Sequence, residues 1–344
     1  MLLTLCACVE VIERTSKKQP PILHLAEHDA AALRHFTSLS DHQLIALGPR
    51  RLPPVVCPMS STATSIPTST SVGFAMLENE DYVQYMHKLK PDIIIGLADM
   101  PYGEQAGTRR KQKMSGRTEK WTQHFLHADN LDGADRADGR PSRFVPILPI
   151  EREAQNLYLD MLAAEASGSI DGLALYHADS AELVPESLAH LPRLSMSGAA
   201  TPQDVLHEVE LGADICCINF INTATDAGIA LDFVFPAPSK AGAESLQMGI
   251  DMWTDIHATV MSPLVANCPC YACQKHHRAY IHHLLSAKEM LAWVLLQIHN
   301  LKMMDMFFTG IRRSIEQGTF TEDVQAFKQM HEAKLPVGTG QGPR

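Results

Sequence analysis

Three cysteines packed into six residues, with one histidine placed to meet them, constrain this chain more than any other feature: Cys268, Cys270, Cys273 and His299 form a Cys-x-Cys-x2-Cys-x25-His array. Three thiolates and an imidazole complete a tetrahedron around Zn2+ and leave no open position for water, so the array reads as one structural zinc ion. The single-residue and two-residue spacers let one tight loop supply all three sulfurs, and the histidine must then come from a second element. From Arg278 to His299 there is no Gly or Pro, and apolar residues recur at Ile281, Leu284, Leu285, Leu291, Val294, Leu295 and Ile298. That pattern predicts a helix ending on the fourth ligand. The alternative is three buried cysteines beside an ordinary histidine.

The remaining cysteines, Cys6, Cys8, Cys57, Cys216 and Cys217, lack framework spacing, so a disulfide scaffold is excluded and a reducing compartment, the cytoplasm, is expected. With a formal charge of -10 over 344 residues, a nucleic-acid surface has to be a local patch and cannot be the whole molecule. The apolar opening from Met1 to Ile12 carries Glu10 and runs into Glu13 and Arg14, a poor match to a signal peptide and too short to span a bilayer.

Between about residue 78 and residue 220, short apolar runs alternate with amphipathic stretches. Strands are predicted at Asp92 to Asp99, Arg143 to Ile150, Ile170 to Tyr176, Arg193 to Gly198 and Ala213 to Phe220; helices at Glu80 to Leu89, Gly116 to Leu131, Glu151 to Ala166, Ala181 to Leu191 and Thr201 to Leu211. Thr201 as N-cap, Pro202 and Asp204 mark the start of the last helix. Apolar strands alternating with helices mean a parallel sheet covered by helices, and with no glycine-rich phosphate loop opening any unit a barrel is preferred over a nucleotide-binding open sheet. Loop-like composition falls at residues 60–71, read as a hairpin tip or mobile loop, at 127–142, read as an exposed excursion, and at 337–344, read as a disordered tail. The expected division is a barrel body over 1–266, a zinc subdomain with a barrel-closing helix over 267–310, a helical segment over 311–336 and the tail.

In parallel βα architectures the working face lies at the carboxyl ends of the strands. Those ends carry Asp99, Glu151, His177, Ser197 and Cys217. Asp99 is either a ligand group or a structural residue, a helix cap or a partner for a nearby arginine. Cys217 is a nucleophile only if a cation lowers its pKa, and otherwise an inert core residue. His177 is a candidate general base. Two basic clusters stand out against the acidic background: Arg109, Arg110, Lys111, Lys113, Arg117 and Lys120, and the group from Lys275 through Arg278 to His283. Either could contact phosphates or form a solvated helix surface.

The run NCPCYACQKHHRAYIHHLLSAKEMLAWVLLQIHN (Asn267 to Asn300) closely resembles the zinc segment of tRNA-guanine transglycosylases, which exchange a guanine base in the tRNA anticodon for queuine or a precursor. LPRLSMSGAATPQDVLHEVELGADICCINF (Leu191 to Phe220) is similar to the family's stretch leading to its nucleophile, and LENEDYVQYMHKLKPDIIIGLAD (Leu77 to Asp99) to its segment ending in a base-recognising aspartate. The resemblance implies a TIM (β/α)8-type barrel with a zinc-bearing insertion near its C-terminal end and an altered first barrel unit, because the segment before His24 does not match the family's opening strand.

The departures from the family pattern concern catalysis. Cys217 stands where the catalytic members carry the aspartate that attacks the ribose. The family's DSGGFQ loop has no counterpart, and Pro149-Ile150-Glu151 replaces its guanine-binding turn; Asp99 alone survives among the base-handling groups. Together these imply a non-catalytic subunit that pairs with a catalytic one in a heterodimer and helps hold tRNA, with Arg109, Arg110, Lys111, Lys113 and Arg278 as candidate phosphate contacts. The same resemblance implies peripheral association with the mitochondrial outer membrane. Two other readings stay open: an active transglycosylase using Cys217, and a zinc-stabilised RNA-binding scaffold.

Overall fold

The structure, a computed structural model, describes residues 5–8, 21–29, 31–70, 73–103, 105–128, 141–165, 169–238 and 245–340. The excursion expected at 127–142 therefore falls largely outside the described residues. The chain divides into two units, one of residues 2–198 and 211–217, the other of residues 199–210 and 218–344.

The first unit is built on strands β1 (Leu5–Cys8), β2 (Ile45–Gly48), a hairpin of β3 (Ser65–Thr70) and β4 (Gly73–Glu78), then β5 (Ile93–Ile95), β6 (Ser142–Ile147), β7 (Gly172–Leu175), β8 (Arg193–Ala199) and β9 (Ile215–Ile218). Its helices are α1 (Pro21–Leu25), α2 (Ala32–Thr37), α3 (Asn79–Leu89), α4 (Thr108–His127) and α5 (Arg152–Glu165). Seven strands form one sheet in the order β1-β2-β5-β6-β7-β8-β9. The registers are parallel, with Ala46 opposite Ile93, Ile95 opposite Phe144 and Ala174 opposite Leu194.

Strand residues alternate between two apolar clusters. Ile45, Leu47, Ile94, Val145, Ile147, Leu173 and Leu175 pack with Tyr82, Met86, Trp121, Phe125, Tyr158 and Leu162 from the helices. Ala46, Ile93, Ile95, Phe144, Ala174, Leu194, Met196 and Cys217 pack on the other face, largely against one another. A parallel sheet must bury both faces. Helices cover one of them here, and the other is filled by the strands' own side chains, the packing of a barrel wall. Tyr82 of α3 and Tyr158 of α5 fasten helix to sheet by donating their hydroxyls to Ile95 O (2.5 Å) and Pro146 O (2.6 Å).

The second unit contains α6 (Pro202–Glu210), α7 (Phe220–Asp226), an antiparallel pair β10 (Ile229–Leu231) and β11 (Gly249–Asp251), then α8 (Tyr271–Lys275), α9 (Arg278–Ser286), α10 (Met290–Gln317) and α11 (Phe320–Met330). Phe233, Phe235, Phe307 and Phe327 form its aromatic core, with ring centroids 5.3 to 6.1 Å apart. The start of α6 is as its sequence predicts: the Thr201 hydroxyl accepts from the Asp204 amide, and Asp204 Oδ2 accepts from the amides of Ala200 and Thr201.

Four expectations change. The helix predicted at 181–191 is a pair of short 3-10 turns, Ala178–Leu183 and Glu186–Leu188, because Pro185 interrupts it. The single helix predicted from Arg278 to His299 is two, broken at Lys288, whose φ of 57° is left-handed. Of the Ser/Thr-rich run at 60–71, residues 65–70 form β3, the first arm of the β3–β4 hairpin with four buried residues, so the mobile-loop alternative falls and the hairpin one stands in part. The fourth concerns α4, which starts at Thr108, well before Gly116, so the basic run lies on its first turns. Of the segment 337–344, residues 341–344 lie outside the described residues, while the Thr339 amide and hydroxyl both donate to Asp251.

Within α10, Gly310 faces the carbonyl of Phe235, and an added Cβ would stand 1.9 Å from that oxygen. Gly310→Ala is expected to destabilise the protein by about 1–3 kcal/mol in urea denaturation while leaving its metal content unchanged.

Candidate metal centre and the strand-end carboxylate

All four residues of the cysteine-histidine array come together. His299 Nδ1 lies 3.6 Å from Cys268 Sγ, 3.6 Å from Cys270 Sγ and 3.4 Å from Cys273 Sγ. The edge between nitrogen and sulfur in a tetrahedral zinc site, from Zn–S near 2.3 Å and Zn–N near 2.05 Å, is about 3.5 Å. The donor set therefore has the dimensions of one metal ion's first coordination sphere, and His299 is wholly buried.

The local sequence explains the geometry. Asn267, with a left-handed φ of 62°, turns the chain into Cys268. Cys270 caps α8, its sulfur accepting the Cys273 amide at 3.3 Å. His299 Nε2 is 2.9 Å from Leu231 O, which only an N–H can satisfy. The other nitrogen, Nδ1, is then left with a lone pair aimed at the thiols, the usual arrangement of a metal-bound imidazole. The next residue, Asn300, accepts from the Leu231 amide at 2.8 Å and donates to Ile229 O and the Thr225 hydroxyl, so two consecutive residues of α10 hold β10. Burial, with Cys270 and Cys268 alongside, pushes the Cys273 thiol up to about 12; a bound cation reverses that order and takes the thiolate.

Arg278 is committed nearby. Its guanidinium donates to the carbonyls of Pro263 and Leu264, at 2.6 Å for the shortest bond, so it staples the segment before the cysteine loop.

At the strand ends of the first unit the Asp99 carboxylate is fully buried and already occupied. Arg110 grips it as a fork, Nη1 to Oδ2 and Nη2 to Oδ1, both 2.6 Å, and Arg117 Nη1 adds a bond of 3.0 Å to Oδ2. Burial alone would raise its pKa, but the hydrogen bonds from Arg110, Ser61 and Arg117 hold it below the usual carboxylate range. Asp99 thus has the arginine partners that one of its readings expects. Arg50 lies alongside, 8% exposed, donating to Met100 O at 3.2 Å and stacked over Tyr102.

Cys217 is 5% exposed within the apolar cluster on the inner face of the sheet, where a thiolate would have to form without solvent. Lys111 pairs with Glu151, and His177 sits on the surface 3.3 Å from Asp179. Of the four basic residues singled out between 109 and 113, Arg110 and Lys111 are thus turned onto carboxylates, while Arg109 and Lys113 are exposed. Arg50 and Ser61 join the Asp99 cluster from separate parts of the chain with no signal in the sequence, whereas Arg117 belongs to the basic run, where the sequence reads it as a phosphate contact or a solvated helix residue.

A family profile described as queuine tRNA-ribosyltransferase matches residues 16–333. Among similar proteins, one from Schizosaccharomyces pombe named queuine tRNA-ribosyltransferase accessory subunit 2 is 36% identical over 300 residues, 87% of this chain and 66% of its own length. Proteins of the same name from Aedes aegypti and Drosophila pseudoobscura pseudoobscura are 27% and 30% identical, over 78% and 72% of this chain and 67% and 61% of their own lengths. The chain spans about two thirds of the length of these curated relatives.

Cys270→Ser is expected to lose the bound ion, read by metal analysis, and to unfold the second unit, since such ions supply on the order of 10 kcal/mol to folding. Asp99→Asn removes the one carboxylate holding two arginines and is expected to cost roughly 3 kcal/mol at neutral pH. Because the folded pKa of Asp99 is depressed, its contribution is complete above the unfolded value near 3.9 and disappears as pH falls through the lower folded value. Denaturation curves of wild type and Asp99→Asn should therefore converge only below about pH 4.

Proposed function

This chain belongs to the queuine tRNA-ribosyltransferase family, and from that premise we propose that it acts as the non-catalytic subunit of a heterodimer that exchanges guanine for queuine at the tRNA anticodon wobble position. The observation that carries this reading is an intact metal-ligand set in a chain in which Asp99 is held by two arginines and Cys217 lies in the apolar core. Losing an attacking residue removes several orders of magnitude in rate. The names of the relatives point the same way.

In this reading the ion held by Cys268, Cys270, Cys273 and His299 is zinc. It supplies no reaction step and serves as a structural cross-link, because four protein ligands fill its coordination sphere. In this reading the described sheet is part of a (β/α)8-type barrel.

The partner surface is assigned to the metal loop and its neighbouring helices. Met290, Leu291, Val294 and Ile298 repeat along α10 at helical spacing and are 66%, 43%, 50% and 37% exposed, an unusual apolar stripe for a helix whose opposite face is already buried. Beside the cysteines, His276 stacks on Tyr280 at 5.1 Å with Tyr271 edge-on to it, a ring cluster of the kind enriched at protein interfaces. Arg109 and Lys113, two of the three exposed members of the basic run, are the proposed contacts to tRNA phosphates. No helix among the described residues is long and apolar enough to cross a membrane, so the association with the mitochondrial outer membrane in this reading is peripheral and secondary to cytoplasmic work.

Queuine incorporation into tRNA, measured with this chain alone, with a catalytic subunit alone and with both, tests the proposal: activity is expected only in the mixture. Incorporation by this chain alone would overturn it and reopen Cys217 as a nucleophile. Val294→Asp is expected to abolish co-purification with the catalytic subunit while metal content stays at one ion.

A further inference from the structure

The first unit carries a second group of metal-type donors, remote in sequence from the thiolate centre. His24, Glu27 and His28 follow the spacing His-x2-Glu-His, and their donor atoms all lie within 4.8 Å of one another. The backbone explains the convergence. Helical bonding continues past the end of α1, with the amides of Ala26, His28 and Asp29 donating to Ile22 O, Leu25 O and Leu25 O at 3.0 to 3.1 Å. Residues three and four apart on such a turn share one face. His24 Nδ1 stands 3.4 Å from Glu27 Oε2, and the two imidazoles meet edge to face with centroids 5.4 Å apart. Asp29, next in sequence, is otherwise engaged: its carboxylate accepts from His35 Nδ1 and from the Ala31 amide.

We infer that His24, Glu27 and His28 bind one divalent ion of the Zn2+, Ni2+ or Co2+ class at the surface of the first unit. Two imidazoles and a carboxylate favour borderline transition metals over Mg2+ and Ca2+, which take oxygen ligands. Tetrahedral coordination needs donors about 3.3 to 3.5 Å apart. Reaching that from the observed spread takes rotation of exposed side chains with no packing to undo. Three protein ligands leave at least one position to water, so this ion is exchangeable where the thiolate-bound one is closed. The spacing is that of the H-x-x-E-H zinc hydrolases. Here all three side chains are exposed on a short surface turn, so the inference is of binding and not of hydrolysis. It does not depend on the accessory-subunit reading.

The test uses the whole, tag-free chain with its thiolate-centre ion in place, stripped of loosely held metal and dialysed to equilibrium against Ni2+. One equivalent of Ni2+ beyond the resident ion is expected. His24→Ala and His28→Ala should each abolish that equivalent without changing the resident ion or the thermal midpoint, and Glu27→Gln should weaken uptake roughly 10-fold. With Co2+ as probe, the added ion should show only weak absorption; an intense thiolate charge-transfer band would mean that it had entered the cysteine centre. That band, no uptake at all, or uptake unchanged in the double variant His24→Ala/His28→Ala would each overturn the inference.

Discussion

The imidazole of His299 is hydrogen-bonded through one nitrogen to the carbonyl of Leu231 and points the other at three cysteine sulfurs. Few side chains have both functional atoms so fully assigned, and the second unit depends on that assignment. It joins the long helix α10, the short strand pair and the cysteine loop at one atom cluster. Burial holds the proton on the Cys273 thiol when no cation is present, so ion binding there is coupled to the loss of that proton and to completion of the fold. Asn300 reinforces the junction from the neighbouring position on the helix, taking the amide of the same residue whose carbonyl His299 holds.

What could be read from sequence divides according to the range of the interaction. Cysteine spacing fixed the metal site because three ligands are local and the fourth lies on a regular helix. Alternating apolar runs located β5 to β9, since a strand buried on both faces needs continuous hydrophobicity. Pro185 was a visible breaker, and the helix expected across it ignored that sign. Lys288 gave none: a left-handed lysine is unusual, and nothing in KEM or its neighbours announces a break between α9 and α10.

The basic run on α4 is the clearest case of sequence ambiguity. Its composition alone could not distinguish a phosphate-binding edge from a helix face, and the fold realises something else in part. Arg110 and Arg117 are seven residues apart, two helical turns, and both turn onto a carboxylate that arrives from the end of β5. Such pairing depends on which loop lies above which strand, and no periodicity in the segment encodes that. Lys111 reaches Glu151 by the same logic. Arg109, Lys113 and Lys120 stay exposed, and the other three charges of the run pair with carboxylates of the chain itself.

Any molecule entering at the strand ends meets Asp99 already paired. A ligand can hydrogen-bond to this carboxylate only by displacing a bidentate guanidinium at 2.6 Å and a second one at 3.0 Å. The donors of such a ligand would compete with guanidinium groups held at the effective concentration of a covalently linked group. Placing a carboxylate at position 217 would leave Asp99 still held by the two arginines of α4.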